Sequence, residues 1–554
     1  MIKLEGNTLY TIKGSYISVL RDKNLLYVTN TSGWLGMSII FALPCDNDEI
    51  YFNPEELVFG YNGVRHRLCL YGKFGFILKG DADIKLKYYR RSDCFYFKGG
   101  DFDAPVAMKK DGKLFINDYK NSTYIWIDDI LGKSDFEFVN GENGDFKELF
   151  LNIGTQGGGY EIKFAGNQNY GDFNYAEDGF TYAKAVAAVK RDYSVWKKKF
   201  ANITEECLFA LWGNLVAENG ILPSFSSYAG NGGMWALWSW DNAYTALALS
   251  GKFDKIAYEL FIMPFLRLCK NGYMFDAITD KTIDYRFTKP PVHAIVYSLM
   301  MRRSEYFCQI KRLKRVTEGL KKSTDYWLKV QGSVPFYTHG NDSGADNSTC
   351  FDKYRFITTP ELYALLSEQC RLISEFSKRL NNVADEKMYK KLSERLASEI
   401  DGFISDGGFA VKSMQTGEFV KTKSLLLLRQ IVAGKALSKK ARAIILSDIK
   451  NFETDCGFSS EARNSEFYNG YGYWRGAVWA PDQLLFNYGL ESLGMKDYAE
   501  EMAMRYVKAV CKTGPYENIN GDNGKGHRCP VFSMVAGVVS YFTDKYGVNG
   551  SEND

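Results

Sequence analysis

Histidine is scarce in this chain, four in 554 residues (His66, His293, His339 and His527), and the four lie far apart. The eleven cysteines scatter from Cys45 to Cys529, and none forms a Cys-x-x-Cys pair. That spacing excludes the local zinc motifs, which draw neighbouring ligands from one short segment. An odd number of scattered thiols reads as free cysteine in a reducing compartment. There is no run of eighteen apolar residues, as a membrane-spanning helix requires. The opening MIKLEGNTLYTIKG has no apolar core of signal-peptide length. A net charge of +3 is spread over interleaved Lys, Arg, Asp and Glu, with no basic stripe, which argues against a nucleic-acid surface. No calcium-loop pattern of alternating acidic ligands appears. The expectation is a cytoplasmic protein with no metal, cofactor, nucleic-acid or membrane partner.

Aromatic residues are plentiful: 37 Tyr, 38 Phe and 10 Trp. They fit strands, and they also fit the flat faces of a sugar. The length asks for two or three domains. The first 180 or so residues read as strands, among them Leu25–Val28, Arg67–Leu70, Ile84–Tyr88, Cys94–Phe97, Lys113–Ile116, Tyr124–Ile127 and Leu149–Ile153. They are short, β-branched or aromatic, and bounded by Gly, Asn and Asp. That pattern predicts a multidomain chain opening with an antiparallel β-sandwich over residues 1–180. A helical linker over 181–200 follows. Twelve helical segments then fill 201–548, at roughly 204–219, 241–250, 252–271, 291–302, 304–330, 359–381, 384–402, 423–433, 438–451, 476–491, 495–511 and 530–545. Thr204-Glu-Glu and Thr359-Pro-Glu are helix starts, each with a capping threonine and acidic first-turn residues. Twelve helices pair into six hairpins, the content of an all-α (α/α)6 barrel. The loops at 220–240, 272–290, 331–358, 452–475 and 512–529 are long, and long loops in a compact domain tend to be functional.

Four acidic residues stand out in or at the ends of those loops. Asp342 and Asp346 lie four apart among small residues in Gly340–Thr349; the same composition makes an ordinary Asx-rich turn. Glu517 follows Tyr516 in the Gly/Asn-rich run Gly514–Gly526, which reads equally as a surface loop. Asp241 closes Trp238-Ser-Trp-Asp241 at the mouth of a helix, where a plain N-cap is chemically reasonable. The run Tyr471–Asp482 crowds aromatics, two glycines and Arg475 against a helix start. Two carboxylates across a sugar pocket are the machinery of glycosidic cleavage, one protonated and one ionised. With 171 residues between Asp346 and Glu517, spacing alone does not bring them together.

These segments, Trp238–Asp241, Ser343–Ser348, Tyr473–Trp479 and Tyr516–Gly526, occur in the order seen in glycoside hydrolase family 63 and related trehalase-like enzymes, which the chain resembles over roughly 200–545. The resemblance implies an (α/α)6 catalytic barrel behind a β-sandwich and an inverting hydrolysis. It implies Asp346 as general acid and Glu517 as general base. Trp240 and Asp241 would hold the terminal sugar, and Tyr473, Trp474, Arg475, Gly476 and Trp479 would line the same pocket. Trp238, Asn347 and Tyr516 belong to the same segments and are taken as substrate-binding. Ala345 before the acid and Lys289 in Thr288–His293 depart from many relatives; Lys289 would contact an anionic or hydroxyl-rich aglycone, or be solvated. The expected activity is an exo-acting α-glycosidase, an α-glucosidase on a small oligosaccharide or glucoside. A phosphorylase using Arg528 and Lys525 near Glu517, and a non-catalytic sugar-binding protein, are the alternatives.

Overall fold

Alternation decides the first part of the chain. In Ile84–Tyr88, residues 84, 86 and 88 are buried and residue 85 is exposed, the period-two pattern of a strand with one face inward. The structure, a computed structural model, describes residues 1–547 except 7, 33–37, 89–105, 111–112, 119–122, 141–145, 168–178, 231, 331 and 333. The segment expected as a strand at Cys94–Phe97 lies outside the described residues.

The chain divides into two compact units: Met1–Ala201 with Trp212–Phe225 and Asn231–Trp235, and Asn202–Leu211 with Ser226–Gly230 and Ala236 onward. The first unit holds a nine-stranded and a seven-stranded sheet, antiparallel throughout. The expected strands other than Cys94–Phe97 lie within them. The sheets face each other across aromatic contacts: Phe41 of the smaller sheet meets Phe76 and Phe164 of the larger, edge to face. This is a sandwich-like arrangement. Helix α1 (Tyr182–Lys199) starts at Thr181, whose side chain accepts from the Lys184 amide. It buries Tyr182 and Ala185 against Cys69, Tyr71 and Ile77 of the larger sheet.

The second unit is helical: α2 (Glu205–Gly213), α3 (Asp241–Leu249), α4 (Asp254–Leu266), α5 (His293–Arg303), α6 (Ile310–Asp325), α7 (Pro360–Arg379), α8 (Val383–Glu399), α9 (Lys439–Asp448), α10 (Ala480–Ser492), α11 (Lys496–Thr513) and α12 (Ser533–Tyr546). Thr359 caps α7, accepting from the Leu362 amide at 3.1 Å, with Pro360 in the first turn. Two expectations change. Residues 423–433, expected as an α-helix, form a 3-10 segment, Leu425–Ala436, interrupted at Gly434 (φ 51°). The helix expected over 304–330 splits into a 3-10 turn, α6 and a π-turn at Tyr326–Val330.

The packing closes on itself. α3 packs on α5, α5 on α7, α7 on the 3-10 segment, that segment on α10, α10 on α12, and α12 back on α3. Outside this cycle α4 pairs with α3, α8 with α7 and α11 with α10. Every residue expected at the site lies on a loop that leads into α3, α5, α7, α10 or α12, or at the first turn of that helix. The loops are stitched together: Val478 bridges Ile519 and Ser459, and Ser424 bridges Glu461. Among the described residues, no helix is long and apolar enough to cross a membrane.

Candidate active site

Tyr473 brings the two distant carboxylates together. Its hydroxyl donates to Asp346 Oδ2 at 3.2 Å, and the same phenol helps hold the Glu517 carboxyl down. Its backbone sits at φ 67°, a conformation that costs a bulky residue energy and concentrates where function holds it. Arg528, also left-handed at φ 68°, lays its guanidinium over the Tyr473 ring, 4.1 Å from the centroid. Glu517 is 6% exposed. Burial raises its carboxyl above the usual range, opposed by the Cys529 amide, which donates to Oε2 at 3.4 Å, and by Arg528; the charge of Asp346 adds to the rise.

Asp346 is half-buried and sits on a loop built by glycine. At Gly340 a Cβ would lie 2.1 Å from the Asp346 carbonyl oxygen. At Gly344 (φ 68°) it would lie 2.3 Å from the Trp240 ring. The loop can therefore run directly over that indole. Asp342, four residues earlier, has another task. Its Oδ1 accepts from the Thr288 amide, and its Oδ2 from the Thr338 amide, the Thr338 hydroxyl and the His339 amide. It is the fastener of the turn, as an Asx-rich reading of this loop expects.

A second acidic group faces the first. Asp241 is 5% exposed, and burial pushes its carboxyl up to about 8, with Lys289 opposing and Glu517 and Asp276 adding to the rise. It is the first residue of α3, and the cap position is Trp240, so Asp241 does not act as an N-cap. Lys289 is buried and forms an ion pair with Asp276 at 3.0 Å; its ammonium also donates to the Asn341 carbonyl oxygen at 3.1 Å. The solvated reading of Lys289 therefore does not hold. Asp276 is not singled out by the sequence, because Phe-Asp-Ala in a loop carries no motif. Burial raises its carboxyl, against the pull of Lys289.

The aromatic run forms one packed wall. Trp474 and Trp479 stack in parallel, centroids 4.0 Å apart. Trp240 lies 6.3 Å from Trp474, and the Trp479 indole N–H donates to the Tyr473 carbonyl. Asn347 ties this wall to the Asp346 loop: it accepts from the Trp474 amide at 2.9 Å and donates to the Gly472 carbonyl at 3.0 Å. Arg475 points away from the carboxylates, to the Asn347 carbonyl and Asp352. Gly476 (φ 141°) is needed because a Cβ would lie 2.5 Å from the Asn469 carbonyl oxygen. Trp238 is half-buried on a short strand paired with Ala277. The Tyr516 ring packs within its own loop, against Gly526.

Beneath the wall lies a group that sequence reasoning missed. Arg429 is buried and donates to Asp482 Oδ1 at 2.5 Å and to the Ser343 carbonyl at 3.0 Å. Its guanidinium lies 5.2 Å from the Trp474 centroid. It thus ties the Asp346 loop, the start of α10 and the tryptophan stack. Glu361, with its carboxyl raised to about 7 by burial, accepts from Tyr337 and Thr359 nearby. His293, pushed down to about 4 by burial, holds the Ser239 carbonyl at 2.9 Å between Trp238 and Trp240. Among the described residues, no group of three His, Cys, Asp or Glu is arranged to hold a metal ion.

A family model described as the mannosylglycerate hydrolase MGH1-like glycoside hydrolase domain matches residues 234–534. No curated protein matches the chain. Among solved structures, a GH63 mannosylglycerate hydrolase from Thermus thermophilus in complex with glucose aligns at 16% identity and a TM-score of 0.53, over 61% of this chain and 99% of that one. The same enzyme in complex with Tris and D-glycerate aligns at 14% identity and 0.51, over 63% and 99%. A bacterial glucoamylase complexed with acarbose aligns at 11% identity and 0.60, over 99% and 95%. At these identities the likeness is one of fold.

Proposed function

The chain belongs to the mannosylglycerate hydrolase MGH1-like glycoside hydrolase family and is a glycoside hydrolase, and from that premise we propose that it is an inverting, exo-acting α-glucosidase acting on a small oligosaccharide or glucoside. Residues 201–548 form the catalytic domain, an (α/α)6 barrel whose inner ring is the closed cycle of α3, α5, α7, the 3-10 segment, α10 and α12, with residues 1–180 as a β-sandwich and 181–200 as the helical linker.

The observation that carries the reading is Tyr473, whose hydroxyl donates to Asp346 and whose phenol also lowers the pKa of Glu517, so that both carboxylates act on one side chain. Inverting pairs stand roughly 6.5–9.5 Å apart, leaving room for a water, whereas retaining pairs sit near ~5 Å. Asp346 donates its proton to the glycosidic oxygen as the bond to the anomeric carbon breaks. Glu517 takes a proton from the water that attacks the opposite face of the sugar. Burial raises the Glu517 pKa, and a base with a raised pKa is a stronger base. Asp241, protonated below about pH 8, both donates to and accepts from sugar hydroxyls, and the Trp240, Trp474 and Trp479 wall flanks the ring. Glucose in one similar structure and acarbose in another favour a glucoside.

Proton NMR of the first product released from α-linked disaccharides and glucosides tests this. The β-anomer is expected; release of the α-anomer would sink the inverting assignment. Arg528 beside Glu517 favours one second reading, phosphorolysis. A sugar phosphate formed only when phosphate is present would establish it in place of hydrolysis.

A further inference from the structure

The two loops that supply Tyr473 and Glu517 carry a second aromatic tier outside the first. The inner tier is Arg528 over Tyr473, whose hydroxyl donates to Asp346. Two residues outward on one loop and one residue outward on the other stand Tyr471 and His527, with ring centroids 4.3 Å apart. His527 lies on the short strand paired with Asn518, the residue after Glu517. Tyr471 precedes Gly472, whose carbonyl accepts from Asn347, the residue after Asp346. The outer pair is thus tied by one peptide step to the neighbours of each carboxylate.

Tyr471 is 55% exposed, an unusual setting for an aromatic ring that is nonetheless fixed. Its hydroxyl accepts from Asn523 at 3.1 Å, its amide donates to Asn469 at 2.9 Å, and its ring rests on His527. Burial, Arg528 and Lys525 all lower the His527 pKa, so this ring is neutral and adds no charge to the platform. An immobilised, exposed, uncharged aromatic with a polar rim suits one face of a pyranose. An acyclic leaving group offers no such face. Lys289, the cation singled out from the sequence for an anionic aglycone, is already neutralised by Asp276.

We infer that Tyr471, backed by His527, is the stacking platform of the leaving-group subsite, and that it selects substrates whose leaving group is a sugar ring over those with a small acyclic one. This rests on the hydrolase reading, so the test separates binding from turnover. In the Asp346→Asn background, calorimetry compares maltose, nigerose, kojibiose, isomaltose and trehalose with methyl α-glucoside, with Tyr471 intact and with Tyr471→Ala. At least one disaccharide is expected to bind tighter than methyl α-glucoside, and Tyr471→Ala to shrink that ratio about 10-fold. Tyr471→Trp should preserve it. His527→Ala, which leaves the tyrosine ring unsupported, should shrink it in the same direction. An unchanged ratio in Tyr471→Ala, an equal loss for both ligand types, or no disaccharide preferred when Tyr471 is intact would each overturn the platform. Turnover is assayed separately with Asp346 intact, and failure there would sink the hydrolase reading while the binding ratio still decides the platform.

Discussion

Asp342 and Asp346 stand four residues apart in one loop, and the structure gives them opposite surroundings. Asp342 accepts from three backbone amides and a hydroxyl. Asp346 accepts from a single phenol. Four donors fix a carboxylate as an anchor and leave it no capacity for chemistry. One shared donor leaves oxygens available to a substrate. The same contrast separates the Arg429 cluster, where the guanidinium binds Asp482 and the Ser343 carbonyl, from Asp346. The cluster fixes positions so that Asp346 can remain unsatisfied, which is the division of labour expected of a preorganised site.

The sharpest way to break this comparison is to exchange carboxylate for amide at each kind of position. Asp346→Asn and Glu517→Gln should each lower kcat by roughly 10²–10⁴-fold, the range of general acid–base catalysis, while the melting temperature stays near that of the parent. Asp342→Ala should lose both activity and stability, by about 1–3 kcal/mol for amides left unpaired. If Asp342→Ala melts like the parent, the anchor role is wrong. Next in size is Arg429→Met. It leaves Asp482 buried without its cation and should destabilise by about 3–5 kcal/mol in urea unfolding. Replacing both partners, Arg429→Met with Asp482→Leu, should recover much of that loss.

Asp241 gives a smaller, pH-dependent effect. Its folded pKa of about 8 lies above the unfolded carboxylate value, so between the two the native state holds the extra proton. Stability contributed by this group is therefore full below the unfolded pKa and falls as pH rises toward about 8. Asp241→Asn should flatten the decline of melting temperature across that window; an unaltered slope would mean that Asp241 is already ionised. The smallest change is expected from Tyr473→Phe. It removes the phenol hydroxyl, which lowers the Glu517 pKa. The acid limb of the kcat profile, which reports ionisation of the base, should then move to higher pH, and a shift to lower pH would contradict the assigned contact.

Much of the fold is legible in local patterning because strands and helices are local objects. Alternation marks Ile84–Tyr88, and Thr359-Pro-Glu marks the start of α7. The exception is instructive. Leu425–Ala436 is apolar almost throughout, so it has no helical stripe, and Gly434 breaks it; buried on both sides in the packing cycle, it takes 3-10 geometry that periodicity does not foresee. The site is legible as loops with a suggestive order, since glycines, indoles and carboxylates cluster in sequence. Arg429 and Asp276 are invisible there, because one arginine in Leu-Leu-Arg-Gln and one aspartate in a loop carry no local signal. Their meaning lies in partners 53 and 13 residues away, Asp482 and Lys289.

By itself, the sequence determined where strands give way to helices, which loops carry sugar-suited aromatics, and that Asp342 and Asp346 lie among small residues. Those are properties of neighbours along a chain. Only the tertiary structure decided that Asp342 is an anchor while Asp346 is left open, that Lys289 is spent on Asp276, and that Asp346 and Glu517 come to act on the same tyrosine. Burial and a partner's position set a carboxylate's charge and freedom, and both are fixed only when distant loops close over one another.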